Sequence, residues 1–220
     1  MVRAVVFDLW QTLVPWPSEA GEELRRSWAA GLGVTVEQLD EHWYGDPDAY
    51  RVRETGPLLH AVTALRDALG ATTPVDELIE GRIALTRRVL TASPEVDATL
   101  RELRARGYPI GLVSNCTEDV AVCWPESSLA PLVDHAVFSA TAGCMKPDPL
   151  IYRLVCDGLG VDASECLFVG DGANDELRGA ASVGMTPVLL AEDGVARWDG
   201  LEAWAGVRIQ AIPEVLELVA

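Results

Sequence analysis

VVFDLWQTL, residues 5–13, opens on three apolar residues and then turns acidic. Val5, Val6 and Phe7 make a run short enough for a buried strand. Asp8 ends it. An unpaired carboxylate is costly inside a core, so Asp8 is expected just past the carboxyl end of the strand, where open α/β sheets hold ligands. Three later apolar runs also end in polar groups: GLVSN (111–115), FSATAGCMK (138–146) and CLFVGDGAND (166–175). Four strand ends bearing a carboxylate, a hydroxyl, a lysine and a pair of acids predict one convergent site: a nucleophile, oxyanion contacts and a cation cradle.

A chain of 220 residues suits one large domain, or a core with a smaller companion. Hydrophobic residues make up 49% of it, ample for a packed interior. No apolar run reaches the roughly 18 residues of a membrane span. The opening MVRAVVFDLW lacks the layout of a secretory signal. No membrane partner and a cytoplasmic location are therefore expected. The five cysteines, at 116, 123, 144, 156 and 166, include no CxxC pair and read as reduced thiols. A formal charge of −17 opposes a nucleic-acid partner, although a small anionic substrate is governed by local groups. Sixteen of the 17 basic residues are arginine, and the remaining one is Lys146. A compact ammonium suits a place where a planar guanidinium would not fit.

After the first strand, PWPSEAG (15–21) breaks the pattern with two prolines. From there to about residue 92 the signals are helical. Ser18 is a cap for a helix through Leu24 and Trp28. Thr35 and Gln38 have capping-box spacing ahead of Leu39 and Trp43. Leu58, Leu59, Val62, Leu65 and Leu69 form one helical face ending near Gly70. Pro74 opens a helix carrying Leu78, Ile79, Ile83, Leu85 and Val89. These signals predict a four-helix insertion over 15–91, leaving 1–14 and 92–220 as the core. In the core, Ser93-Pro94 opens a helix to Arg106. Strands YPIGLVS, HAVFSA, ECLFVG, TPVLLA and VRIQA then alternate with helices TEDVAVCW, DPLIYRLVCDGLG, NDELRGAASVG and IPEVLELVA. Such alternation predicts an α/β fold, a parallel sheet covered by helices on both faces.

The chemistry can be read group by group. Asp8 is able to attack phosphorus and form an aspartyl-phosphate, splitting one hard displacement into two. Ser114 and Asn115 lie between a strand and a helix, where a hydroxyl and a helix N-terminus suit a phosphate oxygen, and where both residues are also ordinary caps. Lys146 is suited to pair with phosphate and with Asp8. GDGAND (170–175) has the first two glycines of a dinucleotide fingerprint but Asp175 at the third, so that fingerprint fails. Two acids four apart across a strand-to-helix turn read better as a Mg²⁺ cradle, with Asp171 as a direct ligand. Asp175 is expected to bind directly, through water, or by holding Lys146; alternatively it complements a helix dipole.

The order and spacing of these motifs resemble the haloacid dehalogenase-like hydrolase superfamily along essentially the whole chain. The resemblance implies a Rossmann-like core with an inserted α-helical cap that closes over substrate. It implies a Mg²⁺-dependent phosphatase of a small phosphorylated metabolite, acting as monomer or homodimer. It also implies Asp8, Thr12 and Lys146 as catalytic residues, Ser114, Asn115 and Lys146 as substrate contacts, and Asp8, the Trp10 backbone carbonyl, Asp171 and Asp175 as metal ligands. Trp16, Trp43, Tyr44, Tyr50, Arg51 and Arg53 are candidates to line the cap.

Trp10 departs from the pattern. Most phosphatases of this superfamily carry an aspartate two residues after the nucleophile, serving as proton donor and acceptor; here indole stands there, with Gln11 where glycine is usual. A positioned acid is worth about 10²–10⁴ in rate. A substrate with a good leaving group, another proton-transfer group (Glu54, His42 or His60 of the insertion), or a weakly active or non-catalytic phosphate-binding protein each meets the departure. A dehalogenase is the rival enzyme, because dehalogenases carry an aromatic residue at this place. The Gly-Asp-x-x-x-Asp metal pattern favours the phosphatase. The phosphonate-cleaving branch needs a cap lysine that 15–91 lacks, and phosphomutases need the missing aspartate.

Overall fold

Strand β1 (Ala4–Phe7) lies in the middle of one six-stranded sheet, with all four of its residues buried. The computed structural model describes residues 1–15, 19–45 and 53–219. The other strands are β2 (Ile110–Ser114), β3 (His135–Phe138), β4 (Cys166–Gly170), β5 (Thr186–Leu190) and β6 (Val207–Ile209). They run in the order β3-β2-β1-β4-β5-β6, and every pairing is parallel. This is the doubly wound Rossmann order, in which the chain reverses direction of travel about β1.

Strand periodicity divides the interior in two. Val5, Phe7, Ile110, Leu112, Leu167 and Val169 face one layer, packed with Val96, Leu100 and Leu103 of α5 (Pro94–Ala105). Ala4, Val6, Val113 and Phe168 face the other. That layer holds Ile151, Tyr152 and Val155 of α8 (Pro149–Leu159), with Leu177 and Ala180 of α9 (Glu176–Ser182). Ser93 caps α5 through Val96 N at 3.2 Å, with Pro94 in the first turn, as its sequence predicts. All five cysteines are unpaired and buried.

Between β1 and α5 come helices α1 (Glu19–Leu32), α2 (Val36–Tyr44), α3 (Leu58–Ala68) and α4 (Val75–Val89). Thr35 and Gln38 form the expected capping box at the start of α2. Pro74 stands one place earlier than expected, at the cap of α4. These helices bury a third apolar cluster: Trp28 and Leu32, Leu39 and Trp43, Val62 and Leu65, and Leu78. Trp28 and Trp43 meet edge to face at 5.0 Å, and the Trp28 indole donates to Leu78 O at 3.1 Å. Arg82 and Thr86 of α4 hold the carboxylate of Asp119 on α6 (Glu118–Cys123), joining this cluster to the sheet end. Trp16, Ser18, Tyr50 and Arg51, singled out in the sequence, lie outside the described residues.

Two carboxyl-terminal details differ from expectation. A four-residue helix, α7 (Ser139–Ala142), follows β3, taking the last two residues of the expected strand HAVFSA and the start of the loop beyond it. The final helix shortens to a 3₁₀ turn and α10 (Val215–Leu218). Among the described residues no helix is long and apolar enough to cross a membrane.

Candidate active site

Asp8 follows β1 directly, and its backbone N–H still donates to Val169 O of β4 at 2.9 Å. The residue is 4% exposed, at the carboxyl end of the sheet between β2 and β4. Thr12 Oγ1 donates to Asp8 Oδ2 at 3.1 Å. The loop between them returns on itself, with Trp10 bridging to Val14 and Gln11 at φ 62°. That left-handed conformation is costly for a side-chain-bearing residue, on the order of 1–3 kcal/mol.

Lys146, 3% exposed, donates to Asp8 Oδ1 and to Glu176 Oε2, the latter at 2.5 Å. Asn115 fixes the lysine's backbone from both sides: Lys146 N donates to Asn115 Oδ1 at 2.8 Å, and Asn115 Nδ2 to Lys146 O at 3.1 Å. Ser114 is fully buried; its Oγ reaches Asn115 O at 3.4 Å and does not line the cavity above Asp8.

Asp171, just after β4, is 2% exposed. Its Oδ1 accepts from Ala173 N at 3.0 Å and its Oδ2 from Trp198 Nε1 at 2.8 Å, while Arg197 approaches from the solvent side at 3.9 Å. Carboxylate oxygens of Asp8, Asp171 and Glu176 lie within 4.8 Å of one another. Asp175, expected in this cradle, is turned out instead; its side chain is 56% exposed and pairs with Arg178 at 3.3 Å. The reason is local. Asn174 and Asp175 both adopt left-handed φ, 54° and 55°, so the chain rotates before α9 and swings the next residue inward. Glu176 thereby becomes the buried acid, its Oε1 accepting from Gly172 N at 2.9 Å. The sequence reading did not single out Glu176 or Trp198. An acid beside Asp175 was the available signal for the first; the second comes from a distant loop with no local mark.

The electrostatics follow from burial. Burial pushes Asp8 above its usual carboxylate value, with Lys146 opposing and Asp171 adding to the rise. Burial likewise lifts Glu176 to about 8. Burial works against the Lys146 charge, but Asp8 and Glu176 outweigh it and hold the ammonium above its ordinary value. Ionised together, the three buried carboxylates would carry two more negative charges than the one buried ammonium balances. Hard oxygen donors with that excess fit a dication such as Mg²⁺.

A cavity of about 510 Å³ opens above this cluster. Asp8, Asn115, Lys146 and Asp171 form part of its lining; Trp43, Glu54, Arg82 and Leu85 come from the segment between β1 and α5, and Trp10 and Trp198 also face it. Arg53 is buried over the Trp43 ring, 4.4 Å from its centroid.

The chain matches the family model described as haloacid dehalogenase-like hydrolase over residues 2–184. It is 29% identical to Phosphatase MT3486 of Mycobacterium tuberculosis (strain CDC 1551 / Oshkosh), covering 91% of this chain and 92% of the relative. It is equally, 29%, identical to (S)-2-haloacid dehalogenase 4A of Burkholderia cepacia, covering 88% and 84%. The crystal structure of 2-haloacid dehalogenase from Pseudomonas syringae pv. Tomato DC3000 superposes with a TM-score of 0.74 at 26% identity, over 99% of this chain and 98% of that one. A parallel sheet ordered about β1, an aspartate at its end and a match over most of its length agree: this chain belongs to the haloacid dehalogenase-like hydrolase family.

Proposed function

We propose that this hydrolase is a Mg²⁺-dependent phosphatase of a small phosphorylated metabolite, working through an aspartyl-phosphate at Asp8. One observation carries the reading: a buried group of three carboxylates, two of them bonded to a single lysine, with Asp8, Asp171 and Lys146 lining a cavity. Displacement of halide from carbon has no use for a dication cradle, whereas a phosphate brings negative charge that needs one.

In this reading Asp8 attacks phosphorus and the leaving oxygen departs in line. Lys146 opposes the effect of burial on Asp8, favouring the ionised nucleophile, and pairs with a phosphate oxygen. Thr12 orients Asp8 through its hydroxyl. Asn115 holds Lys146 in register, and Ser114 supports the turn that carries Asn115. Asp8, Asp171, the Trp10 carbonyl and Glu176 would hold the cation; Asp175 would act on it only through water. Bound Mg²⁺ would supply charge neutralisation at the phosphate oxygens. Water then cleaves the aspartyl-phosphate and releases inorganic phosphate. Helices α1–α4 serve as a cap whose Trp43, Leu85 and Arg82 contact the rest of the substrate, and closure excludes bulk water.

A dehalogenase is the second reading, favoured by the indole of Trp10 in the cavity wall. One assay separates the two. A panel of alkyl, aryl and acyl phosphates with and without Mg²⁺ should give metal-dependent phosphate release, falling more than about tenfold in Asp8→Asn, whose amide is isosteric but no nucleophile. Halide release from 2-haloacids without metal, and no phosphate release, would replace this proposal with the second reading.

A further inference from the structure

Breaking a phosphate ester leaves an alkoxide unless a proton reaches the departing oxygen. Among the described residues, six titratable side chains line the cavity: Asp8, Glu54, Arg82, Cys116, Lys146 and Asp171. Asp8 is the nucleophile, and Lys146 is held between two carboxylates. Asp171 accepts from Ala173 N and Trp198. Arg82 stays charged and donates to Asp119 and Thr117. Burial, with Glu54 and Asp119 adding, pushes the Cys116 thiol well above its usual value. His42 and His60, on the same helices as the cap clusters, are exposed and do not line the cavity.

We infer that Glu54, a buried carboxyl supplied to the cavity by the segment between β1 and α5, is the proton-transfer group of this site. The inference rests on the phosphatase reading of Asp8. In the first step the Asp8 oxygen–phosphorus bond forms as the ester P–O bond breaks, and the Glu54 proton moves to the leaving oxygen, giving alcohol and a Glu54 carboxylate. In the second, a water oxygen bonds to phosphorus and Glu54 takes its proton. The bond to Asp8 breaks, inorganic phosphate leaves, and Glu54 is again an acid.

The surroundings of Glu54 suit both tasks. It is 6% exposed. Burial pushes its carboxyl up to about 7, against the lowering by Arg53 and Arg82 and with the help of Asp119. Arg53 Nε stands 3.6 Å from Glu54 Oε1; Arg82 faces it from α4, Asp119 from α6, and Cys116 from the loop after β2. At neutral pH such a group is populated as donor and as acceptor. The donor form is lost as pH rises through about 7, so kcat/KM on alkyl phosphates should fall along an alkaline limb there.

The experiment is a leaving-group series, from p-nitrophenyl to alkyl phosphates, on the parent and Glu54→Gln with Mg²⁺ present. The parent should show a shallow dependence on leaving-group pKa. Glu54→Gln should lose about 10²–10⁴-fold in kcat/KM on alkyl phosphates and less than about tenfold on p-nitrophenyl phosphate, and its alkaline limb should vanish. Glu54→Asp, which keeps the carboxyl on a shorter arm, should retain the limb at a lower rate. Equal losses on good and poor leaving groups, or a steep dependence already present in the parent, would overturn the role of Glu54 alone. No phosphate release from any ester by the parent would overturn the phosphatase reading with it.

Discussion

At the residue scale, Lys146 shows how composition and geometry meet. It is the single lysine of the chain, and it lies 3% exposed between Asp8 and Glu176 with its backbone clamped by Asn115. A point charge on a slim stem reaches both carboxylates from one direction; a planar fork is larger and donates along fixed axes. Lys146→Arg keeps the charge, so a purely Coulombic role predicts no change. A steric role predicts displacement of Asp8, and misplacement of about 1 Å costs on the order of 10²-fold. Steady-state phosphate release should therefore fall about 10²-fold in Lys146→Arg, and near-parent kinetics would make the single lysine an accident of composition. Trp10 is the opposite case. Its identity was plain in the sequence, yet its consequence depends on Glu54, whose acid was legible while its burial in the cavity was not.

At the scale of elements, the placement of α9 governs the candidate cluster, because Glu176 is its first residue. Tyr152 of α8 donates from its hydroxyl to Glu176 O at 2.8 Å, and Gly179 lies where the two helices and Pro147 converge. A Cβ there would stand 2.6 Å from the Tyr152 hydroxyl and 2.9 Å from Pro147 O. Gly179→Ala should therefore destabilise by about 1–3 kcal/mol, as overpacking does. Gly81, in mid-α4, would place a Cβ no nearer than 3.9 Å to Trp28, so Gly81→Ala should stabilise by up to about 1 kcal/mol. Thermal melts of the two variants should move in opposite directions; a shared sign would mean that close approach does not fix α9. Elements were also the most legible level. Strands announced themselves as short apolar runs and helices by their periodicity and caps, as at Thr35-Gln38 and Ser93-Pro94. What stayed hidden was set by backbone twist rather than pattern. Two consecutive left-handed residues decide that Glu176, not Asp175, turns inward, and an acid–acid–acid count cannot reveal that. Trp198 reaches Asp171 from 27 residues away, a contact that only the packed fold creates.

At the scale of the whole molecule, the charge of −17 and the buried carboxylates make separate claims on cations. Diffuse surface repulsion is relieved by any salt, in proportion to ionic strength. A specific cradle responds to a dication beyond that screening, because a ligand bound by the folded state alone stabilises it by mass action. At a concentration one hundred times its dissociation constant, Mg²⁺ should add about 2.7 kcal/mol. For a chain of this length, with about 2–4 °C per kcal/mol, the melting temperature should rise by about 5–10 °C over NaCl of equal ionic strength. Asp171→Asn removes one carboxylate from the cluster and leaves the surface almost unchanged. It should keep the parent's response to NaCl and lose most of the Mg²⁺ increment, each protein being compared with its own metal-free form. Calorimetric titration should show the same contrast without reference to turnover. Equal Mg²⁺ increments in the two proteins would assign the effect to the acidic surface, and the excess charge at Asp8, Asp171 and Glu176 would then be balanced by protons, in keeping with the upward displacement of Asp8 and Glu176.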